Sequence, residues 1–235
     1  MPIEAEPHGL ASKPIRACIH LLRVVGTGLI CRADPATKTE LPSGQLQERV
    51  SIMTVWFTSD THFGHANIIG YSQRPFASIE EMDAVLICNW NARVGPQDEV
   101  WHLGDFTFRS EKAADLYLKR LNGRKHLVWG NHDSEKLRQL DAWASSQPYA
   151  ELALDGRKIV LLHYGLRVWN KSHRGALHFY GHSHGSLPGD QQSCDVGVDN
   201  PACAYAPWRL EEIERHLAEL PAREPVDHHG AQRVG

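Results

Sequence analysis

Apolar and polar positions alternate along residues 53–220 in a way that predicts strands and helices in turn. Short apolar runs that end in polar turns predict strands in "TVWFTS", "DEVWHLGDF" and "RKHLVWGNHD". Helical spacing predicts a helix over 78–94, begun by Ser78 and Glu81 as a capping box. Further helices are predicted from Ser110 and over "SEKLRQLDAWASS".

The second half of this region is predicted to consist mainly of strands. "YAELALDGRKIVLLHY" predicts a hairpin across Asp155 and Gly156, and "HFYGHSHG" and "SCDVGVD" predict further short strands. A last helix is predicted in "PWRLEEIERHLAEL". Together the elements predict an α/β fold of two stacked mixed β-sheets flanked by helices, an α/β sandwich.

The segments on either side of this region differ from it in composition. Residues 1–52 are rich in Pro, Gly and polar residues, and their one apolar stretch is too interrupted for a membrane span of about 20 residues. We interpret them as an extension, flexible or upstream of a natural start at Met53. The alternative is a signal peptide, which Glu4 and Glu6 disfavour because they interrupt its basic leader. Residues 221–235 are predicted to be a disordered tail, which leaves 53–220 as the domain.

Composition narrows the class of protein. Hydrophobic residues make up 42% of the chain and charged residues 23%, which is typical of a globular domain. The net charge of −3 gives no reason to expect stable nucleic-acid binding, and no membrane association is predicted. The five cysteines are scattered without a CxxC pair, which argues against a disulfide framework or a zinc ribbon. This usage favours a reducing compartment, and we predict a cytoplasmic protein. The oligomeric state is left open.

Polar side chains of the kind that bind metals follow five of the predicted strands. In α/β sheets, ligands collect outside the carboxyl ends of the strands, so these side chains can share one edge. Residues that are common in turns would explain any single cluster equally well. The evidence for a shared site is that such clusters recur after successive strands. The seven candidates are Asp60, His62, Asp105, Asn131, His163, His182 and His184.

The chemistry of this set indicates divalent cations. Carboxylate, amide and imidazole ligands suit manganese, and also iron, zinc, nickel or cobalt, better than calcium, and the lack of thiolates argues against a structural zinc. Seven ligands exceed the number that one tetrahedral ion uses. We therefore predict two ions about 3.5–4 Å apart, bridged by a carboxylate, for which Asp105 is our choice.

The motifs "DTH", "GD", "GNHD", His163 and "GHSH", in this order, resemble the signature of the calcineurin-like metallophosphoesterases. The resemblance covers roughly residues 53–200, and "DTHFGHANII" further resembles small bacterial and phage-encoded members. It implies a first ion held by Asp60, His62, Asp105 and His184. It implies a second ion held by Asp105, Asn131, His163 and His182. It also implies that His132 is not a ligand but binds phosphate and protonates the leaving oxygen.

One departure from the family pattern concerns the residues after Asp105. The calcineurin-type phosphatases have GDxxDR, whereas this chain has "GDFTFR", so that Phe108 replaces an Asp that orients the catalytic His. Which group orients His132 is therefore open. Arg109 and Arg74 are candidates for contact with phosphate. His65 is a candidate for contact with substrate, and capping of the short helix "ANIIG" is its alternative role.

The resemblance implies an enzyme that hydrolyses a phosphomonoester or a phosphodiester by attack of a metal-bridging hydroxide. The motifs do not separate the two ester classes. A single domain with few insertions favours a small phosphorylated substrate, with nucleotides among the candidates. The alternative is a non-catalytic binding scaffold on the same fold. Such scaffolds typically lose the catalytic His or a ligand, whereas here His132 and all seven ligands are present.

Overall fold

The computed structural model describes residues 53–224. The predicted extension over 1–52 lies outside the described residues, as does the part of the predicted tail from 225 onward. None of the helices in the described part is long and apolar enough to cross a membrane.

The first sheet has the strand order β4-β3-β2-β1-β9. Strands β1 to β4 are parallel to one another, whereas β9 runs antiparallel to β1. The carboxyl ends of β1, β2 and β3 therefore lie at one edge. The strands are β1 (Val55–Thr58), β2 (Glu99–His102), β3 (Arg124–Val128), β4 (Ser145–Gln147) and β9 (Trp208–Arg209).

The second sheet has the order β5-β6-β7-β8. Its first two strands form the predicted hairpin across Asp155 and Gly156, and the remaining pairs are parallel. The strands are β5 (Ala150–Leu154), β6 (Arg157–Leu161), β7 (Leu177–Tyr180) and β8 (Ser193–Asp195). The sheet is therefore mixed, as the sequence predicts.

Five α-helices occur in the described part of the chain: α1 (Ala66–Tyr71), α2 (Ile79–Arg93), α3 (Ala114–Leu118), α4 (Glu135–Arg138) and α5 (Leu210–Glu219). Short 3₁₀ turns cover Ser172–Arg174 and Pro201–Cys203. Helix α2 begins where predicted, because the Ser78 hydroxyl accepts a hydrogen bond from the Glu81 amide at 3.2 Å. The Glu81 carboxylate accepts in return from the Ala77 amide, one residue earlier than a standard capping box.

Two predicted helices are wrong in extent. The helix expected from Ser110 begins only at Ala114. The helix expected over "SEKLRQLDAWASS" ends at Arg138, and its last residues form β4 instead. Parallel pairing with β3 explains the difference, since the Trp129 amide donates to the Gln147 carbonyl at 3.0 Å. Tertiary pairing here overrides a modest local preference for helix.

The core lies on both faces of the first sheet, because successive strand residues point to opposite faces. Trp56 packs with Trp90 and Met82 of α2 on the outer face. Phe57 packs against the second sheet, with its ring 5.1 Å from that of Phe179 at 77°. The two sheets are therefore stacked with helices outside, which confirms the predicted α/β sandwich.

The chain remains packed beyond the predicted end of the domain at 220. The Gln191 amide donates to the Pro221 carbonyl at 3.0 Å. The Arg223 guanidinium pairs with Asp190 at 2.7 Å and lies 4.0 Å from the ring centroid of Trp169. Pro221 and Arg223 are therefore in contact with the domain.

Candidate metal centre

Loops at the carboxyl ends of five strands bring the seven candidate ligands together. Asp60 and His62 follow β1, Asp105 follows β2 and Asn131 follows β3. The second sheet contributes the other three ligands, which lie after β6 and β7: His163, His182 and His184.

Among the described residues, six of the seven ligands fall into two compact groups. The ligand atoms of Asp60, His62 and His184 lie within 4.8 Å of one another, and so do those of Asp105, His163 and His182. Asn131 joins the second group, because its Oδ1 lies 3.1 Å from His163 Nε2. The split is the same as the one that the family resemblance implies.

Asp105 stands between the two groups. Its Oδ2 lies 3.6 Å from His62 Nε2 in the first group and 3.6 Å from His163 Nε2 in the second. Its Oδ1 accepts a hydrogen bond from the backbone amide of His132 at 2.9 Å. The carboxylate is thereby fixed with one oxygen facing both groups, which is the geometry that a bridging ligand needs.

Buried polar atoms without partners show that the residues fit a cation. Asp60 Oδ1 and both ring nitrogens of His62 are buried and have no hydrogen-bond partner among the described residues. An unsatisfied buried polar atom costs about 1–3 kcal/mol, so a cluster of them needs an explanation. Asp60 Oδ1 lies 3.9 Å from both His62 Nε2 and His184 Nε2. A divalent cation between these three atoms would satisfy them together.

Hydrogen bonds outside the groups orient two of the imidazoles. His163 Nδ1 donates to the Leu103 carbonyl at 2.7 Å, so that in the neutral ring the lone pair is on Nε2, which faces Asp105. His184 Nδ1 lies 2.6 Å from Asp199 Oδ2, so its Nε2 faces Asp60. Such partners fix the tautomer of a metal-binding histidine.

Arg74 is buried behind the site rather than exposed to a substrate. Its guanidinium donates to both oxygens of Asp199, at 2.8 and 2.7 Å, and to the backbone carbonyls of Asp60 and Thr61. The side chain is 0% exposed. This position contradicts the prediction that Arg74 contacts phosphate, because its donors are already used inside the protein.

The backbone of the ligand loops is strained. Five ligand residues have φ in the left-handed region, which few residues other than glycine adopt. Such conformations cluster at functional sites, where the surrounding fold maintains them. The five are Asp60 (56°), His62 (50°), Asp105 (58°), His182 (66°) and His184 (49°).

Gly181 allows two of these loops to approach closely. A Cβ at this position would lie 2.0 Å from Ser59 Oγ and 2.3 Å from Asp60 Oδ2. The next residue, His182, donates its amide to Asp60 Oδ2 at 2.9 Å. The glycine before His182 therefore has the close-approach role that its sequence position predicts.

Burial shifts the pKa values of some of the candidate ligands. It raises the pKa of Asp60 well above its ordinary value, and it lowers the pKa values of His62 and His182. Burial also acts to lower the pKa of His184, but the hydrogen bond to Asp199 and the charge of Asp60 outweigh it and raise that pKa. Neutral imidazole is the form that binds metals, so the environments of His62 and His182 favour ligation.

His132 lies beside the groups with its side chain 33% exposed. Its Nε2 is 3.9 Å from Asp105 Oδ2. Its ring contacts Phe108, with 4.0 Å between the centroids. The neighbouring Asp133 does not orient it, because that carboxylate accepts from the amides of Asp105, Phe106 and Gly130 and so braces the turn after β2.

A cavity of about 660 Å³ opens beside the first group. His62, His184 and His132 line it, together with the predicted substrate residues His65 and Arg109. The His65 side chain makes no capping hydrogen bond to α1, so its alternative role as a cap is wrong.

Sequence reasoning missed Asp199, which orients His184 from the loop after β8. The only signal for Asp199 in the sequence is that it is an acid at the end of the predicted strand "SCDVGVD", without a neighbouring Gly-His or Asn-His pair. Its partner Arg74 is 125 positions away in sequence, which no local pattern indicates.

A two-sheet α/β sandwich with paired Asp and His groups at its strand ends defines a metal-binding domain of the metallophosphoesterase type. Residues 53–211 match the calcineurin-like phosphoesterase superfamily domain. The chain therefore belongs to this superfamily, and the resemblance seen in its motifs is confirmed.

Similar proteins come from archaea, phages and bacteria. An uncharacterized protein of Methanocaldococcus jannaschii is 37% identical over 139 residues, which cover 57% of this chain and 72% of that protein. The gene 66 protein of Mycobacterium phage D29 is 30% identical over 161 residues, covering 57% of this chain and 79% of that protein. A solved structure of a protein of unknown function from Aquifex aeolicus has a TM-score of 0.56 and 25% identity, and covers 70% of this chain and 100% of that chain.

Proposed function

We propose that this protein is a hydrolase that uses two divalent cations to cleave a phosphomonoester or a phosphodiester. Its membership of the phosphoesterase superfamily supports the reaction class. The observation that carries the two-cation proposal is the position of Asp105 Oδ2, 3.6 Å from a histidine of each ligand group.

The two groups would share the cations as follows. Asp60, His62 and His184 would hold one with Asp105, and Asn131, His163 and His182 would hold the other with Asp105. When bound, such a pair supplies an activated water and positive charge that clamps the attacking and leaving oxygens. The mixed donor set suits manganese, with iron, zinc, nickel and cobalt as alternatives.

His132 and Arg109 are the residues that we assign to the substrate. His132 Nε2 lies near the bridging carboxylate without belonging to either group, so it can donate a proton to the leaving oxygen. General acid catalysis of this kind is worth about 10²–10⁴-fold in rate. Arg109 is exposed on the cavity wall and supplies positive charge to the phosphoryl oxygens. His65 lines the same cavity.

The cavity supports a small phosphorylated substrate. Its volume of about 660 Å³ lies within the range of about 300–1,000 Å³ that small-molecule sites occupy. We therefore propose a small phosphoester, with nucleotides included, and no stable nucleic-acid complex. The chain's scattered cysteines make the cytoplasm the proposed location.

Hydrolysis of an aryl phosphate and of its bis-aryl diester with Mn²⁺ tests the proposal. We expect turnover of at least one ester, loss of turnover in chelator and its recovery when Mn²⁺ is added again. Asp105→Asn should abolish turnover through loss of metal, whereas His132→Ala should lower turnover with metal content close to that of the parent. Absence of turnover of both esters by protein that contains metal would favour the binding scaffold instead.

A further inference from the structure

The wall of the cavity next to His132 is built largely from rings. The Phe108 ring lies 4.0 Å from His132 and 4.9 Å from His65, between centroids. The His65 ring lies 6.4 Å from that of Tyr71 at the end of α1. All four side chains line the same cavity. They form a row of rings that leads from His132 to solvent, and we call it the aromatic wall.

We propose that the aromatic wall is a subsite for a flat aromatic group on the phosphoester, and that Phe108 and Tyr71 determine this preference. The inference rests on the proposed function, because it assigns a substrate class to the same site. It goes further by naming the part of the substrate that the site recognises and the two residues that recognise it.

The position of Phe108 relative to His132 carries the first step of the argument. In the proposed reaction His132 gives its proton to the leaving oxygen, so the leaving group is attached next to the imidazole. Among the residues that line the cavity, Phe108 has its ring 4.0 Å from that of His132. A leaving group held at His132 therefore meets the Phe108 ring, and ring–ring contact favours an aromatic group there.

The exposure of Tyr71 carries the second step. Its side chain is 77% exposed, although it is a large aromatic residue at the rim of the cavity. An aromatic side chain contributes much to the free energy of ligand binding when a ligand covers it, because it buries a large apolar area and has few rotatable bonds. Tyr71 thus offers an uncovered ring at the outer end of the aromatic wall.

The charges of the cavity argue against a polyphosphate in this position. Arg109 is the one Arg or Lys that lines the cavity in the described part of the chain, and its guanidinium carbon lies 5.1 Å from the Phe108 ring centroid. A chain of phosphates would need several such cations along its path. One arginine over an aromatic ring suits a single phosphoryl group followed by a flat ring.

Two residues that line the cavity beside the aromatic wall have their backbone in the left-handed region. Arg109 has φ of 48° and Gln73, which follows α1, has φ of 49°. Both residues line the cavity, on two segments far apart in sequence. Strain of this kind persists where the fold holds side chains in fixed positions for function.

Inhibition by phosphonates tests the inference without the complication of leaving-group acidity. We would compare phenylphosphonate with methylphosphonate, neither of which is hydrolysed, on full-length protein loaded with Mn²⁺. Phenylphosphonate should bind about tenfold more tightly. Phe108→Leu and Tyr71→Ala should each reduce this ratio by about threefold to tenfold, the range expected for an aromatic pair.

A matched control and a second readout make the outcomes distinct. Tyr149→Ala removes another exposed tyrosine that does not line the cavity, and should leave the ratio unchanged. Equal binding of the two phosphonates, or a ratio insensitive to both Phe108→Leu and Tyr71→Ala, would overturn the inference even if ester turnover is normal. Absence of ester turnover by the parent protein would instead overturn the proposed function. Calorimetric titration of the same two phosphonates would still test the inference in that case. Because Tyr71 is exposed, its variant remains informative if Phe108→Leu does not fold.

Discussion

The guanidinium of Arg74 and the carboxylate of Asp199 form a buried bidentate ion pair, with Nε to Oδ1 at 2.8 Å and Nη2 to Oδ2 at 2.7 Å. Asp199 Oδ2 also lies 2.6 Å from His184 Nδ1. Burial acts to raise the pKa of Asp199, but the hydrogen bonds from His184 and Arg74 outweigh it and lower that pKa. The pair therefore presents a fixed negative charge to the back of His184, a candidate metal ligand.

Asp199→Asn is expected to weaken binding of the cation held by Asp60, His62 and His184. Loss of such an outer partner typically costs about 10–100-fold in metal affinity. Calorimetric titration with Mn²⁺ measures the effect. Asp190→Asn is the matched control, since Asp190 also pairs with an arginine, Arg223, but contacts none of the ligands. Equal affinities in parent and Asp199→Asn would show that the pair does not orient His184.

Metal content should distinguish a shared ligand from an unshared one. Asp105→Asn is expected to reduce occupancy of both cations, because Asp105 Oδ2 faces both groups. Asn131→Ala should reduce the occupancy of one, because Asn131 contacts only His163 of the second group. Elemental analysis after dialysis against Mn²⁺ gives the stoichiometry. The same metal loss in both variants would contradict the bridging role of Asp105.

Gly181→Ala is expected to destabilise the protein by about 1–3 kcal/mol, the usual range for overpacking. The new methyl group would lie 2.0 Å from Ser59 Oγ and 2.3 Å from Asp60 Oδ2, so Asp60 must move. Gly70→Ala in α1 is the control, because nothing lies within 4 Å of its added Cβ. It should stabilise the protein by about 0.5–1 kcal/mol. Chemical denaturation measures the free energy of unfolding of both variants. A Gly181→Ala variant as stable as the parent would refute the predicted clash.

His178 is expected to make the fold sensitive to acid. Burial lowers its pKa from 6.5 to about 4, against the hydrogen bonds to the Val160 and Tyr164 carbonyls. The nearby Arg223 charge adds to this lowering, whereas that of Asp190 opposes it. Between about pH 6.5 and pH 4 the unfolded chain binds a proton at His178 that the folded protein does not bind. The stability of the fold therefore falls as the pH falls through this window. The contribution is at most about 3 kcal/mol.

The variant His178→Gln isolates this contribution from those of other groups. It should be less stable than the parent at about pH 8, because it loses hydrogen bonds, and the difference should shrink as the pH falls toward 4. Urea unfolding in chelator across this range provides the comparison. Parallel stability profiles of parent and variant would mean that His178 does not titrate as expected.

A fragment that begins at Met53 is expected to fold and to keep the activity of the whole chain. All seven candidate ligands lie within residues 53–211, the range that matches the superfamily domain. Circular dichroism and ester hydrolysis of the fragment provide the measurements. An insoluble fragment would contradict the prediction that residues 1–52 are dispensable.

The sequence was sufficient to single out the side chains that the structure brings together, because each candidate ligand stands next to a strand end. Apolar runs such as "VWFT" predict a strand, and parallel strands place residues such as Asp60 and Asp105 at the same edge. The place of Arg74 was not predictable in this way, since its ion pair joins it to Asp199 far along the chain. The same holds for the short helix α4, whose extent depends on pairing between β3 and β4.

The replacement of an Asp by Phe108 was visible in the sequence, but its consequence was not. The sequence left open which group orients His132, and Asp133 was the adjacent candidate. The structure directs Asp133 to the backbone of the turn after β2 and places the Phe108 ring against His132 instead. A side chain's direction depends on the loop that carries it, which spacing alone does not fix.

The left-handed backbone of the ligand loops limits how this site can change during evolution. Asp60, His62, Asp105, His182 and His184 adopt a conformation that Asn, Asp and Gly tolerate best and that β-branched residues tolerate worst. If these residues bind metal as proposed, a lineage that lost metal binding would keep its fold most easily by changing to Asn or Gly at these positions. Replacement by Val, Ile or Thr would disturb the loops as well as the chemistry. Only a few substitutions at these positions would therefore remove function without destabilising the structure.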